Sequence, residues 1–185
     1  FDTIFTKKTL ETSVNNFDLI SEKFLEDYSK NEQPIRVNFK EIVNHIKFQD
    51  RATHSIHIYP AKLLPNIPYF FLNNDFFVKD NEFVLDPFSG SGTVLLEANL
   101  AGKNSYGCDA NPLARLISKV KTSTYDISIL QKTIELLKLE MLNISVDPNE
   151  KFPDVVNIDY WFLPKIKLQL YKILKAIKTI SDEDY

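Results

Sequence analysis

Phe83-Val84-Leu85-Asp86-Pro87-Phe88-Ser89-Gly90-Ser91-Gly92-Thr93 decides the fold, together with Tyr106-Gly107-Cys108-Asp109-Ala110-Asn111-Pro112 one helix length later. Phe83 to Leu85 form a short apolar run suited to a buried parallel strand, and Asp86-Pro87 stops it because proline has no N–H for the ladder. Gly90 and Gly92 lack a Cβ, so the backbone there can take positive φ and let a ligand approach its amides. Helical spacing resumes from Thr93 to Leu100, and Gly102 suits the position just past the helix end. A helix N-terminus therefore faces the crevice, where Ser, Gly and Thr amides suit a carboxylate or another polar group. Asp109 lies 23 positions after Asp86, at the tip of the next strand. Open parallel sheets hold ligands beyond the carboxyl ends of their strands, and an acid at this spacing is placed to accept hydrogen bonds from ribose hydroxyls.

The missing features narrow the ligand. A dinucleotide fingerprint needs a glycine three residues after Gly92, and this chain has Leu95 there. No Gly-Lys-Ser/Thr follows the glycines, so a triphosphate loop is not indicated either. A nucleoside with a charged, phosphate-free tail remains: Asp86 facing an ammonium and the Phe88 ring near a cationic centre suit S-adenosylmethionine. A plainer reading of both acids stays open at this point. Asp86 before proline can simply start a turn, and Asp109 can simply cap the helix that begins at Pro112.

Asp86-Pro87-Phe88-Ser89-Gly90-Ser91-Gly92-Thr93 resembles motif I of the DNA amino-methyltransferases, the enzymes that methylate N6 of adenine or N4 of cytosine. Upstream, Thr53-His54-Ser55-Ile56-His57-Ile58-Tyr59-Pro60-Ala61-Lys62-Leu63-Leu64-Pro65 resembles motif X of that family. Downstream, Asp109-Ala110-Asn111-Pro112-Leu113-Ala114 resembles the motif II region. The three stand in the family's order, and the resemblance runs from about Val37 to Thr124, roughly half of the chain. It implies an α/β fold: a Rossmann-like class I methyltransferase core with a parallel sheet flanked by helices, incomplete at its C-terminal end. It implies S-adenosylmethionine as cofactor, bound by Tyr59, Ala61, Lys62, Asp86, Pro87, Phe88, Ser89, Gly90, Gly92, Thr93, Asp109, Ala110 and Asn111. In that assignment Asp109 takes the ribose, Asp86 and Phe88 bracket the methionyl ammonium and sulfonium, and Lys62 meets the methionyl carboxylate.

Methylating an exocyclic amine requires a pocket that accepts the amine hydrogens and stacks a flipped base. The family builds it from Asp/Asn/Ser-Pro-Pro-Tyr/Phe, motif IV, and no Pro-Pro pair occurs here. Neither Asp147-Pro148-Asn149 nor Asn157-Ile158-Asp159-Tyr160-Trp161 fits. Tyr160, Trp161 and Phe162 read instead as a hydrophobic anchor before a helix at Pro164. No catalytic residue is expected in this segment, the catalytic strand is expected beyond Tyr185, and the segment alone is expected to be inactive. The implied function is site-specific methylation of a DNA base within a restriction–modification system, with DNA engaged through other regions. Two rivals stand beside it: an RNA or tRNA base methyltransferase, which uses a similar turn, and a non-catalytic cofactor-binding subunit that needs a partner chain. The second draws on the missing motif IV and on the net charge of −3, since DNA-binding chains usually carry a basic footprint.

The rest of the chain sets bounds. With 185 residues, 44% hydrophobic content, 14 Phe and 8 Tyr, it is long and apolar enough for a folded core. A single cysteine excludes a disulfide framework. His54 and His57 have no cysteine or carboxylate at ligand spacing, so no metal is expected. No run of 18 apolar residues and no signal-peptide pattern occurs, which gives a cytoplasmic expectation with no membrane contact. Periodicity predicts helices over Asn16–Tyr28, Phe39–Phe48, Asn66–Asn73, from Pro112 to about Val120, and from Ile127 to Met141, with Asp147-Pro148-Asn149 closing the last. A final helix from near Pro164 carries the stripe Ile166, Leu170, Ile173, Leu174 and Ile177. Glu97, inside the helix after the loop, reads as a surface or buried and satisfied residue. The domain expectation is a helical N-terminal extension over 1–50 and a cofactor-binding core over 51–185.

Overall fold

The computed structural model describes residues 17–147 and 155–181, and the chain divides into two compact units at Ser123/Thr124. The first unit contains α1 (Phe17–Asn31), α2 (Phe39–Ile42), α3 (Asn66–Leu72), β1 (Phe83–Asp86), α4 (Thr93–Leu100), β2 (Asn104–Gly107) and α5 (Pro112–Thr122). The second contains α6 (Ile127–Asn143), α7 (Ile158–Trp161) and α8 (Pro164–Ser181).

An aromatic core joins α1, α2 and α3. Phe17, Ile20, Val43 and Phe70 are buried together. Phe70 receives the edges of Phe17 and Phe39 at 5.2 and 5.5 Å between ring centres, an arrangement favoured by the ring quadrupoles. Buried Asn74 donates to the Ser21 hydroxyl at 2.7 Å and the Phe17 carbonyl at 3.3 Å, tying the chain after α3 to the start of α1. The helix expected over Phe39–Phe48 is a single turn, α2. Its carbonyl ladder is broken at Val43, whose C=O accepts from the buried Asn66 side chain at 2.9 Å and so is turned away from a helical partner. Asn16, at the start of the expected first helix, lies outside the described residues.

The sheet and its crossover helix are as the sequence requires. β1 and β2 pair in parallel in the register Phe83↔Asn104, Val84↔Ser105, Leu85↔Tyr106 and Asp86↔Gly107, and α4 connects them. The expectation that Phe83 to Leu85 form a buried strand is corrected: Phe83 and Leu85 are 62% and 70% exposed. Successive strand residues point to opposite faces, and among the described residues the sheet has only these two strands. α4 covers the face carrying Val84 and Gly107, where a Cβ on Gly107 would come within 2.5 Å of Leu95 Cδ1. The other face carries Phe83, Leu85 and Tyr106 in the open, with the Phe83 and Tyr106 rings 5.7 Å apart. α5 begins with Pro112 after Asn111, whose side chain caps the Leu113 amide. It turns Ala114, Ile117, Ser118 and Lys121 inward, a helical stripe of spacing 3, 4 and 7.

In the second unit α6 packs on α8. Asp126 caps α6, its Oδ1 accepting the Ser128 and Ile129 amides at 2.8 and 3.1 Å. Ala176 is the buried position of α8, and of the predicted stripe Leu170 and Ile173 are half-buried while Ile166, Leu174 and Ile177 are exposed. The expected anchor at Tyr160, Trp161 and Phe162 is also corrected. Tyr160 and Trp161 are 80% and 68% exposed, with their rings edge to face 5.0 Å apart. They sit on a single turn entered through a left-handed Asn157, and the turn is held to α8 by the Lys167–Asp159 ion pair instead. Pro148 and Asn149 lie outside the described residues. No helix among the described residues is long and apolar enough to cross a membrane.

Candidate functional site

The two strand tips are stitched together by backbone. The Asp86 carbonyl accepts the Cys108 amide at 3.1 Å, and the Cys108 carbonyl accepts both the amide and the hydroxyl of Ser89, at 2.9 and 3.2 Å. The loop after β1 is thereby laid beside the loop after β2. Asp109 then bridges them: its Oδ2 accepts the Gly90 amide at 2.8 Å and its Oδ1 the Asn111 amide at 2.8 Å. The cap of α5 is Asn111, not Asp109, so the capping alternative for Asp109 does not hold. Asp86 does close a turn, with Oδ1 accepting the Phe88 amide at 3.1 Å. An ionised carboxylate offers about four acceptor positions, so each acid keeps capacity for a ligand.

Of the predicted residues in the upstream segment, Tyr59 reaches these loops. The Tyr59 hydroxyl accepts from Asn111 Nδ2 at 3.3 Å, and its Cε1 lies 3.7 Å from where a Gly90 Cβ would be. Phe88 is 88% exposed, an uncovered aromatic ring directly at the β1 tip. Pro87 and Ala110 are exposed in the two adjoining loops. Ala61 is exposed and has φ +53°, a left-handed conformation that alanine adopts at a cost of about 1 kcal/mol or more. Gly90 and Gly92 both have positive φ, at +49° and +71°. The space freed at Gly92 is filled from inside, however: a Cβ there would stand 2.3 Å from Ser118 Oγ on α5. Ser89, Ser91 and Thr93 are buried, and the expectation that the loop amides receive a ligand is corrected at Phe88, Ser89, Gly90 and Gly92, whose N–H groups already donate to Asp86, the Cys108 carbonyl, Asp109 and the Ser89 carbonyl. Lys62 is half-buried and spends a proton on the His54 carbonyl at 2.6 Å; burial lowers its pKa.

A buried ionic cluster beneath the loop was not anticipated as a unit. Glu97 of α4 is fully buried, and its Oε1 meets His54 Nε2 at 2.5 Å and Arg51 Nε at 3.2 Å. Lys121 of α5 is 3% exposed, and its ammonium donates to the Ser91 carbonyl at 2.8 Å. The Thr53 hydroxyl donates to the Lys121 carbonyl at 2.7 Å. Desolvation, reinforced by the nearby Lys62 charge and partly offset by Glu97, pulls the Lys121 pKa down to about 8. The sequence held one signal for this cluster: a lysine on the inward stripe of α5, seven residues after Ala114. Among the described residues no cluster of three or more His, Cys, Asp or Glu side chains is arranged to hold a metal ion.

Comparison with known proteins bears on the same segment. Residues 3–119, well over half of the chain, match the N6/N4 methyltransferase family model described as DNA methylase. The chain is similar to the type II methyltransferase M.MvaI of Kocuria varians, 33% identical over 71% of this chain and 31% of that protein. It is 40% identical to the type II methyltransferase M.MjaII of Methanocaldococcus jannaschii over 52% of this chain and 17% of that one. It is 29% identical to the tRNA (guanine(10)-N2)-dimethyltransferase of the same organism over 75% of this chain and 40% of that one. The chain thus spans less than half the length of each of these relatives. No solved structure matches it. The linked strand tips, the acid on each and the family match over the segment that carries them lead to one conclusion: the chain belongs to the N6/N4 DNA methylase family.

Proposed function

We propose that this chain carries the cofactor-binding part of a site-specific DNA amino-methyltransferase, a modification enzyme of a restriction system, with S-adenosylmethionine as methyl donor. In this reading the βαβ unit is part of a Rossmann-like class I core, with α1 and α2 an extension packed onto it. The observation that carries the reading is the Asp109 bridge, which sets an acid with spare acceptor positions against the Gly90 amide at the joined tips. The residues suit the ligand. Asp109 would accept the ribose hydroxyls beside the Tyr59 ring, Asp86 would face the methionyl ammonium, and the uncovered Phe88 ring would lie near the cationic sulfur. Lys62 donates one N–H to the His54 carbonyl and would use a second for the methionyl carboxylate.

Bound S-adenosylmethionine supplies a methyl group activated by its sulfonium. The chain's own contribution is to hold that methyl in line for an exocyclic amine, since orientation and the absence of competing water dominate such a displacement. The base pocket and the DNA contacts belong in this proposal to the part of the relatives' length that the chain does not span, and a cytoplasmic setting goes with a DNA substrate. Similarity to a tRNA dimethyltransferase supports a second reading, methylation of an RNA base by the same cofactor unit. Methyl incorporation by the longer protein into genomic DNA and into RNA separates the two.

Titration calorimetry tests the cofactor reading. The chain should bind S-adenosylhomocysteine, and Asp109→Ala should weaken binding about a hundredfold through loss of the charge-assisted bonds to two hydroxyls. Equal affinity in the two proteins would remove Asp109 from the site.

A further inference from the structure

The cofactor loop rests on a lysine that no ligand would touch. Ser91, midway between the two positive-φ glycines, has its side chain buried, and its carbonyl points into the first unit, where Lys121 Nζ meets it at 2.8 Å. The groups facing Lys121 come from three directions. Lys62 approaches from the 59–65 segment with a like charge; Glu97 lies on α4 with the opposite charge; and His54 and Arg51 hold Glu97 from the 51–54 segment. The backbone of Lys121 is itself fixed by Thr53. The loop, α4, α5 and the segment carrying Tyr59 are thus joined through one buried charged network.

We propose that Lys121 is a positioning residue for the cofactor: its ammonium, clamped on the Ser91 carbonyl, holds the Ser89–Gly92 turn in the shape in which the Gly90 amide anchors Asp109 toward the ligand. The inference rests on the reading that this loop binds S-adenosylmethionine. A hydrogen bond from an ionised donor is roughly twice as strong as one from a neutral donor, so the clamp weakens when the amine loses its proton. That loss falls within an accessible range because the desolvated amine titrates near 8. Glu97 acts in the opposite direction, keeping the proton on.

The experiment is calorimetric binding of S-adenosylhomocysteine from pH 7 to 9.5 by the chain, by Lys121→Met and by Glu97→Gln. The ligand's own amine titrates alike in all three, so differences between the profiles belong to the protein. Wild type should lose affinity relative to Lys121→Met as pH rises through about 8. Lys121→Met should bind about tenfold more weakly at pH 7. Glu97→Gln should move the wild-type inflection to lower pH, because the charge that raises the Lys121 pKa is gone. This arm also keeps the test alive if the methionine variant does not fold. Parallel profiles for wild type and whichever variant folds would overturn the proposal while leaving the cofactor site intact. A wild-type chain that binds no S-adenosylhomocysteine at any pH would overturn the cofactor reading, and the clamp with it.

Discussion

On the proposed reading, Asp86 and Asp109 each do two jobs at a strand tip. Each carboxylate spends acceptor positions on backbone amides that shape its loop, and each has acceptor capacity beyond them. The two functions separate experimentally at Asp86. Asp86→Asn keeps an amide oxygen for the Phe88 N–H, so the turn survives, but it removes the negative charge. Affinity for S-adenosylhomocysteine should fall about tenfold, as expected for a lost charge-assisted contact, while affinity for adenosine, which has no ammonium, should be unchanged. A parallel fall for both ligands would mean that Asp86 serves only the turn. The sequence made these acids legible because proline and glycine fix where the strand stops and where the chain can reverse. It did not make Glu97 or Lys121 legible as partners, because a buried charge is explained only by what surrounds it. The neighbours here, Arg51 and His54 for Glu97 and Thr53 and Ser91 for Lys121, come from distant parts of the chain.

At the scale of elements, Gly92 is a contact between helices. It opens α4 in a left-handed conformation and lets Ser118 of α5 sit where a side chain would be. Gly92→Ala combines two penalties: about 1–2 kcal/mol for an L-residue at positive φ and about 1–3 kcal/mol for overpacking against α5. A loss of about 2–5 kcal/mol in urea unfolding is expected for the first unit, whether or not a ligand is present. A loss below about 0.5 kcal/mol would show that α5 moves aside freely. The βαβ order was readable from periodicity and punctuation, and so were α3, α5 and α6. The failures have physical causes of the same kind. α2 stops after one turn because Asn66 captures the Val43 carbonyl from 23 residues away. The apolar run of β1 is buried on one face only, since alternation assigns residues to faces but says nothing of what covers each face.

For the first unit as a whole, the clamp implies opposing demands on one proton. Lys121 titrates at about 8 in the fold and at about 10.5 when unfolded, so between those values the unfolded chain holds a proton that the folded chain has released. Stability contributed by this group therefore rises with pH across that window. Below about 8 the full cost of burying the charged amine is present, on the order of 3 kcal/mol. Other lysines and the tyrosines also titrate at high pH, so the comparison must be with Lys121→Met, which keeps the apolar stem and removes the titration. In urea unfolding at pH 7 and pH 10, wild type should gain a few kcal/mol on the variant at the higher pH. Equal differences at both pH values would mean that the amine is solvated and carries no such cost. Cofactor affinity is expected to move the other way, favouring the charged amine that the fold disfavours. Opposite pH slopes for stability and binding mark a group retained for the site at the expense of the core. A lysine serving packing alone would have no reason to couple its proton to the ligand.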